Sequence, residues 1–252
     1  MTSTKQSMRW VSAGATHPGV RRSMNQDAFL DRPDIGLWAV ADGMGGHASG
    51  DRASSLVVEV LSRLPAPELL GRSVRQAECL ITEANRRLID EADASGEDII
   101  GTTVVALLAM GHACALLWVG DSRMYRLRDD RLEQLTQDHT EVQQWVSEGK
   151  LSSEQAESHP YSGVLSRAVG AEDALQVDSV IETLMDGDRY LLCSDGLTKE
   201  LTHERIHELL SSGEPPEVVQ ALVEDACAAG GRDNVTALVV DFFDRTPGLS
   251  ES

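Results

Sequence analysis

Five aspartates stand where apolar runs begin or end. Leu37-Trp38-Ala39-Val40-Ala41 leads into Asp42-Gly43, Tyr190-Leu191-Leu192-Cys193-Ser194 into Asp195-Gly196, and Leu116-Leu117-Trp118-Val119 into Gly120-Asp121. Asp27 precedes Ala28-Phe29-Leu30, and Asp233-Asn234 precedes Val235–Val240. Turn chemistry accounts for any one of them, because Asp bonds to nearby backbone and Gly accepts positive φ. Five in one chain admit a second reading. If the strand mouths share one sheet edge, the carboxylates converge, and they then raise each other's pKa unless cations neutralise them. Oxygen-rich sets of this kind suit Mg²⁺ or Mn²⁺, and no His/Cys set points to zinc. Asp42-Gly43-Met44-Gly45-Gly46 adds three glycines in four positions, where the backbone bends and comes close to something. A carbonyl there is available as a ligand beside the Asp.

The elements that would position these residues alternate in blocks. Met8–Thr16 and Gly36–Ala41 read as strands, with a shorter one near Phe29. Ser49 reads as an N-cap, followed by a helical face of Ala53, Leu56, Val57, Val60, Leu61 and Leu64 that Pro65 and Pro67 end. A second helix buries Val74, Ala77, Ile81, Ala84, Leu88 and Ala92. Strands follow over Thr103–Met110, Ala113–Val119, Met124–Arg128 and Leu132–Leu135, the last two joined by Asp129-Asp130. Such short connections require antiparallel pairing. The polar stretch Asp138–Ser162 has short helical patterns around Val142–Val146 and Ser153–Glu157 and reads as a mobile insertion over a site. Strands resume at Val177–Leu184 and Arg189–Cys193, then helices over His203–Leu210 and Pro216–Ala228, then a strand over Val235–Phe242. Strands and helix pairs in separate blocks indicate an α+β layered fold, with sheets inside and helices outside. We expect one domain over residues 1–252, with residues 1–7 and 244–252 as flexible ends.

Composition narrows the partners. The 252 residues carry 41 Asp+Glu against 22 Lys+Arg, a net charge of −19. Nucleic-acid binders need a basic face, and anionic membranes disfavour such a chain. The same field repels phosphate-bearing substrates unless cations are bound locally. Of the basic residues 19 are Arg and 3 are Lys. Cys79, Cys114, Cys193 and Cys227 lie too far apart for a metal knuckle or redox pair and read as buried thiols in a reducing compartment. The first ten residues lack a signal-peptide core. Thr103–Val119 approaches spanning length, but Gly111-His112 divides it into a strand hairpin.

The segments Arg22-Ser23-Met24-Asn25-Gln26-Asp27, Val40-Ala41-Asp42-Gly43-Met44-Gly45-Gly46-His47, Gly101-Thr102-Thr103, Val119-Gly120-Asp121-Ser122-Arg123, Leu165-Ser166-Arg167-Ala168-Val169-Gly170, Ser194-Asp195-Gly196-Leu197 and Gly231-Arg232-Asp233-Asn234-Val235-Thr236 occur in one order and spacing. From about Ser12 to Phe242 the chain resembles the metal-dependent protein phosphatases of the protein phosphatase 2C type, in their compact bacterial form. The resemblance implies a four-layer α/β/β/α sandwich of two antiparallel sheets flanked by helix pairs, with two Mn²⁺ or Mg²⁺ ions at one edge. By this likeness Asp42 bridges the ions and the Gly43 carbonyl completes one site, while Asp195 and Asp233 hold the other ion. Asp27 acts close by through water. Asp121 joins Asp195 around a weaker third ion, Arg22 grips substrate phosphate, and Asp138–Ser162 is the variable flap.

The implied reaction is hydrolysis of phosphoserine and phosphothreonine on proteins by a water activated at the binuclear centre, opposing a Ser/Thr kinase in the bacterial cytoplasm, with type VI secretion control among the roles of such relatives. The chain is expected to work as a monomer. The alternative is a pseudophosphatase that binds a phosphoprotein or kinase without cleaving; phosphatase action on small esters is a third reading. Two departures stand out. Met44 occupies a position where many relatives carry a His able to protonate the leaving alcohol, which leaves water on a metal, His47 and His139 as candidates, and Gln26 replaces a frequent Glu. Cys193, beside Ser194-Asp195, has no Arg-rich loop near it and reads as core.

Overall fold

The computed structural model describes residues 8–45, 49–157 and 159–244. One sheet contains β1 (Arg9–His17), β7 (Arg123–Arg128), β8 (Arg131–Gln134), β10 (Arg189–Cys193) and β11 (Val235–Phe243), in the order β1-β11-β10-β7-β8. The other contains β2 (Asp27–Arg32), β3 (Leu37–Met44), β5 (Val104–Met110), β6 (Ala113–Val119) and β9 (Asp178–Thr183) in that order, with β4 (Gly101–Thr102) paired to the end of β3. All of these pairs are antiparallel. The apolar stretch considered for a membrane is the β5–β6 hairpin, and no helix among the described residues is long and apolar enough to cross a membrane. Asp129 and Asp130 turn between β7 and β8 with φ of 50° and 59°, the left-handed pair of a tight hairpin turn.

Strands β3, β5, β6, β10 and β11 read as apolar runs because both of their faces are covered. On β3, Leu37, Ala39 and Ala41 face α1 (Ser49–Ser62) and α2 (Leu70–Ser95), while Trp38 and Val40 face the other sheet. Period-2 alternation thus divides one run between two cores. Between the sheets, Phe242 packs edge-on against Trp38 and Tyr190, with ring centroids 5.9 and 5.5 Å away. The outer face of β10 and β11 packs on α6 (His203–Leu210) and α7 (Pro215–Ala229) through Leu191, Val239, Ile206 and Leu222. Three shorter helices, α3 (Glu141–Ser147), α4 (Ser153–Glu157) and α5 (Asp195–Thr198), complete the described elements. The buried face of α2 includes every residue expected from its periodicity.

Several local expectations change. Strand β3 does not stop at Ala41. It runs through Asp42 and Gly43 because β4 pairs with its end, Gly43 opposite Thr102. Ser49 lies inside α1, and its hydroxyl donates to the Glu97 carboxylate at 2.7 and 2.8 Å, so a distant acceptor engages the expected cap. Asp195 opens α5, an element too short to show periodicity. Cys114 and Cys193 are buried, but Cys79 is exposed on α2 and Cys227 only half-buried on α7. Asp244 is held in place, its N–H donating to Asp186 at 2.9 Å. Residues 1–7 and 245–252 fall outside the described residues.

The inter-sheet layer gives a direct test. Leu107 is fully buried there and does not line the cavities described below. Leu107→Ala is expected to cost about 2–5 kcal/mol in urea unfolding. A loss below ~1 kcal/mol would contradict a close-packed layer.

Candidate active site

The strand mouths do share one edge. Asp27, at the start of β2, lies opposite Asp42, near the end of β3, in the sheet register. Asp121 follows β6 on the same side, and the other sheet brings Asp195 after β10 and Asp233 before β11. Asp27 joins the two sheets. Its Oδ2 accepts from Ser194 Oγ and Thr236 Oγ1, both at 2.7 Å. Because the Thr236 hydroxyl donates to Asp27, it accepts from Thr16, which in turn accepts from the Asn25 amide. The chain Asn25→Thr16→Thr236→Asp27 therefore runs one way, each donor polarised by the next.

Two glycines let the aspartates come together. A Cβ on Gly43 would stand 2.0 Å from the carbonyl oxygen of Gly50, and one on Gly196 would stand 1.9 Å from that of Asn234. Neither glycine has the positive φ of a turn residue. They serve close backbone approach, so the Asp-Gly pairs are not turn signals here. The Gly43 N–H donates to Gln26 O at 3.1 Å, and the Asp42 carbonyl accepts from Thr103 N and Thr102 Oγ1. Asn234 fastens the loop that carries Arg22. Its Oδ1 accepts from Gln26 N, and its Nδ2 donates to Pro18 O and Met24 O. Gly231 O accepts from Val20 N and Arg21 N on the same loop.

Charge is unevenly compensated. Arg22 forks onto Asp233 with contacts of 2.9 and 3.1 Å, and Lys199 Nζ donates to Asp195 Oδ2. Asp27 and Asp42 have no cationic partner among the described residues, and Asp121 has the charge of Lys199 near it. Burial raises the Asp27 carboxyl to about 6, with Asp195 adding to the rise and the two hydroxyl bonds opposing it. Asp121 is raised to about 7, by burial and then by Asp195. Asp42 is pushed well above the ordinary range, by burial and then by Asp27, Asp195, Asp121 and Asp233. Asp27 Oδ1 and Asp195 Oδ1 are buried without any hydrogen-bond partner. Orphaned anionic oxygens with no donor at hand fit divalent cations. No three His, Cys, Asp or Glu side chains among the described residues close around one point.

Two cavities, of about 570 and 860 Å³, share Asp121, Asp195 and Asp233 in their walls. The first also contains Arg22, Asp42, Gly43 and Met44, so six of the seven expected site residues line one cleft. The seventh, Asp27, lies beneath, opposite Asp42. The segment Asp138–Ser162 flanks the cleft, with Asp138 pinned by Arg123 at 2.7 Å and Ser162 in the wall of the larger cavity. His139 is structural. Its Nδ1 accepts from Gly120 N–H, so Nε2 carries the proton and donates to Asp178, and burial followed by Arg167 lowers its pKa. His47 lies outside the described residues. Burial pushes the Cys193 thiol up to about 12, which leaves it inert at neutral pH. Asn234, Ser194, Thr236 and Lys199 were not expected at the site. Only Lys199 carried a local signal, four residues after Asp195 just before a helical pattern.

A family model described as "Protein phosphatase 2C" matches residues 13–229. The chain is 36% identical over 240 residues to the serine/threonine protein phosphatase PstP of Mycobacterium tuberculosis, covering 95% of this chain and 46% of PstP, so it spans about half the length of that relative. The structure of PppA, described as a key regulatory component of T6SS in Pseudomonas aeruginosa, matches with a TM-score of 0.88 and 41% identity over 93% of this chain and 98% of PppA. The PstP catalytic domain in complex with two manganese ions matches at 0.83 and 34% identity over 94% of this chain and 99% of that one.

The raised carboxyls fix a sign. Asp121 takes up its proton near pH 7 when folded and at the ordinary 3.8 when unfolded. Between these values the folded state binds more protons, so this contribution to stability falls as pH rises from about 4 to 7. Metal-free Asp121→Asn is therefore expected to melt several degrees above metal-free wild type at pH 7.5, with the gap shrinking at pH 5. Equal melting temperatures at pH 7.5 would show that no charge strain exists there.

Proposed function

This chain belongs to the protein phosphatase 2C family, and we propose that it hydrolyses phosphoserine and phosphothreonine on proteins with two Mn²⁺ or Mg²⁺ ions. The observation that carries the reading is the set of five carboxylates at one edge of the sandwich, Asp27 and Asp42 among them without a cationic partner and two oxygens orphaned. Asp42 and the Gly43 carbonyl would hold one ion, Asp195 and Asp233 the other, and Asp27 would act through water. When bound, the ions supply Lewis acidity, lowering the pKa of water and neutralising phosphoryl charge.

The chain's own residues do the rest. Arg22 is 54% exposed and its pair with Asp233 faces solvent, so it releases at little cost and offers two parallel N–H donors to a phosphate. Ser194 and Thr236 fix one oxygen of Asp27, which leaves Oδ1 to aim into the site. Met44 carries no proton to give, and His139 is engaged at both ring nitrogens. Neither residue therefore protonates the leaving alcohol. We propose also that the protein is a single domain acting as a cytoplasmic monomer against a Ser/Thr kinase. Its likeness to PppA supports a role in type VI secretion control.

A phosphothreonine peptide supplied with Mn²⁺ tests this. Turnover is expected with Mn²⁺, to vanish with EDTA, and to fall by roughly a hundredfold or more in Asp42→Ala and Asp195→Ala. Arg22→Ala is expected to raise KM about tenfold or more, with Lys at that position restoring only part. No turnover by folded, Mn²⁺-loaded wild type would overturn the enzyme reading in favour of a phosphoprotein-binding module.

A further inference from the structure

The outer side of the carboxylate cluster already holds a cation of its own. Lys199 follows Asp195 by four residues, one helical turn on, so the two side chains share a face. Its backbone N–H donates to Asp195 O at 2.8 Å, and its carbonyl accepts from Arg232 at 3.0 Å, which fixes the point from which the side chain departs. Nζ donates to Asp195 Oδ2, and Asp121 and Asp233 are close enough for their charges to act on the same amino group. The other cations of this wall are taken: Arg123 by Asp138 at 2.7 Å, Arg232 by Glu200 at 2.9 Å, and Arg22 by Asp233 at 2.9 Å. Asp195 is thereby divided. Oδ2 belongs to Lys199, while Oδ1 stays orphaned for the inner ions.

We propose that the Lys199 ammonium is the resident cation of the Asp121–Asp195 pair and takes the place of the weaker third metal ion, so that this chain binds two divalent ions rather than three. An ammonium suits the part, because it is a point charge with donors in all directions. A divalent ion entering between Asp121 and Asp195 would meet a like charge in contact with one of its own ligands, and that repulsion lowers its affinity. Lys199 is then a positioning residue that sets metal stoichiometry and the charge on the outer wall. The inference rests on the two-ion reading above.

Counting ions tests it without reference to turnover. The full chain, stripped with EDTA, is titrated with Mn²⁺ at pH 7.5, and free ion is read by electron paramagnetic resonance. Wild type and Lys199→Arg are expected to bind two ions up to millimolar free Mn²⁺. Lys199→Gln is expected to gain a third, and Lys199→Asp to bind that third ion at least about tenfold more tightly than Lys199→Gln. Retention of the two tighter sites in each variant shows that it is folded. Three ions in wild type, or a third site unchanged by all three substitutions, would overturn the role of Lys199 and leave the two-ion reading standing. A wild type that binds no Mn²⁺ would remove both.

Discussion

Mutual repulsion among five carboxylates at one sheet edge is the constraint to which the rest of this molecule answers. Left to themselves they would separate or take up protons, and burial with mutual repulsion pushes the carboxyls of Asp27, Asp42 and Asp121 above the ordinary carboxylate range. A closely packed two-sheet core keeps them together. So do two glycines that let backbones meet at distances no side chain would allow. The charge strain is what makes the edge a receptor for divalent ions. Once ions are bound, a chain of net charge −19 can receive an anionic substrate.

Positive charge is rationed at this edge. Arg22 lies on Asp233 and Lys199 on Asp195, yet the two pairs differ in kind. The first is solvent-facing and bidentate, on a loop stapled by Asn234 and Gly231. The second sits on a backbone fixed by helical and Arg232 contacts. The first pair is exposed and the second is held against the wall. Arg123, Arg167 and Arg232 are spent on Asp138, Asp178 and Glu200, holding the surrounding loops in place.

Much of this was legible in the chain. Apolar runs ending in Asp marked the site because both faces of the strands are buried and every run stops at the same edge. The helical face of α2 was legible because its period is local. What escaped detection depends on residues far apart in sequence. Nothing near Ser194 or Thr236 says that a carboxylate more than 160 residues away will need their hydroxyls. Asn234 looked like half of a turn, and its value lies in reaching Pro18, Met24 and Gln26. Gly43 and Gly196 carried the right signal for a different reason, close approach in place of a turn. Cys79 and Cys227 misled because the stretches around them are apolar on one helical face only.

The bonds from Ser194 and Thr236 to Asp27 cross from one sheet to the other. A slip of one residue along a strand moves atoms by about 3.3 Å, enough to break both bonds. Neither half of the sandwich holds the whole site, since each supplies only some of the carboxylates. Loss of the site and loss of sheet-to-sheet register are therefore a single cooperative event.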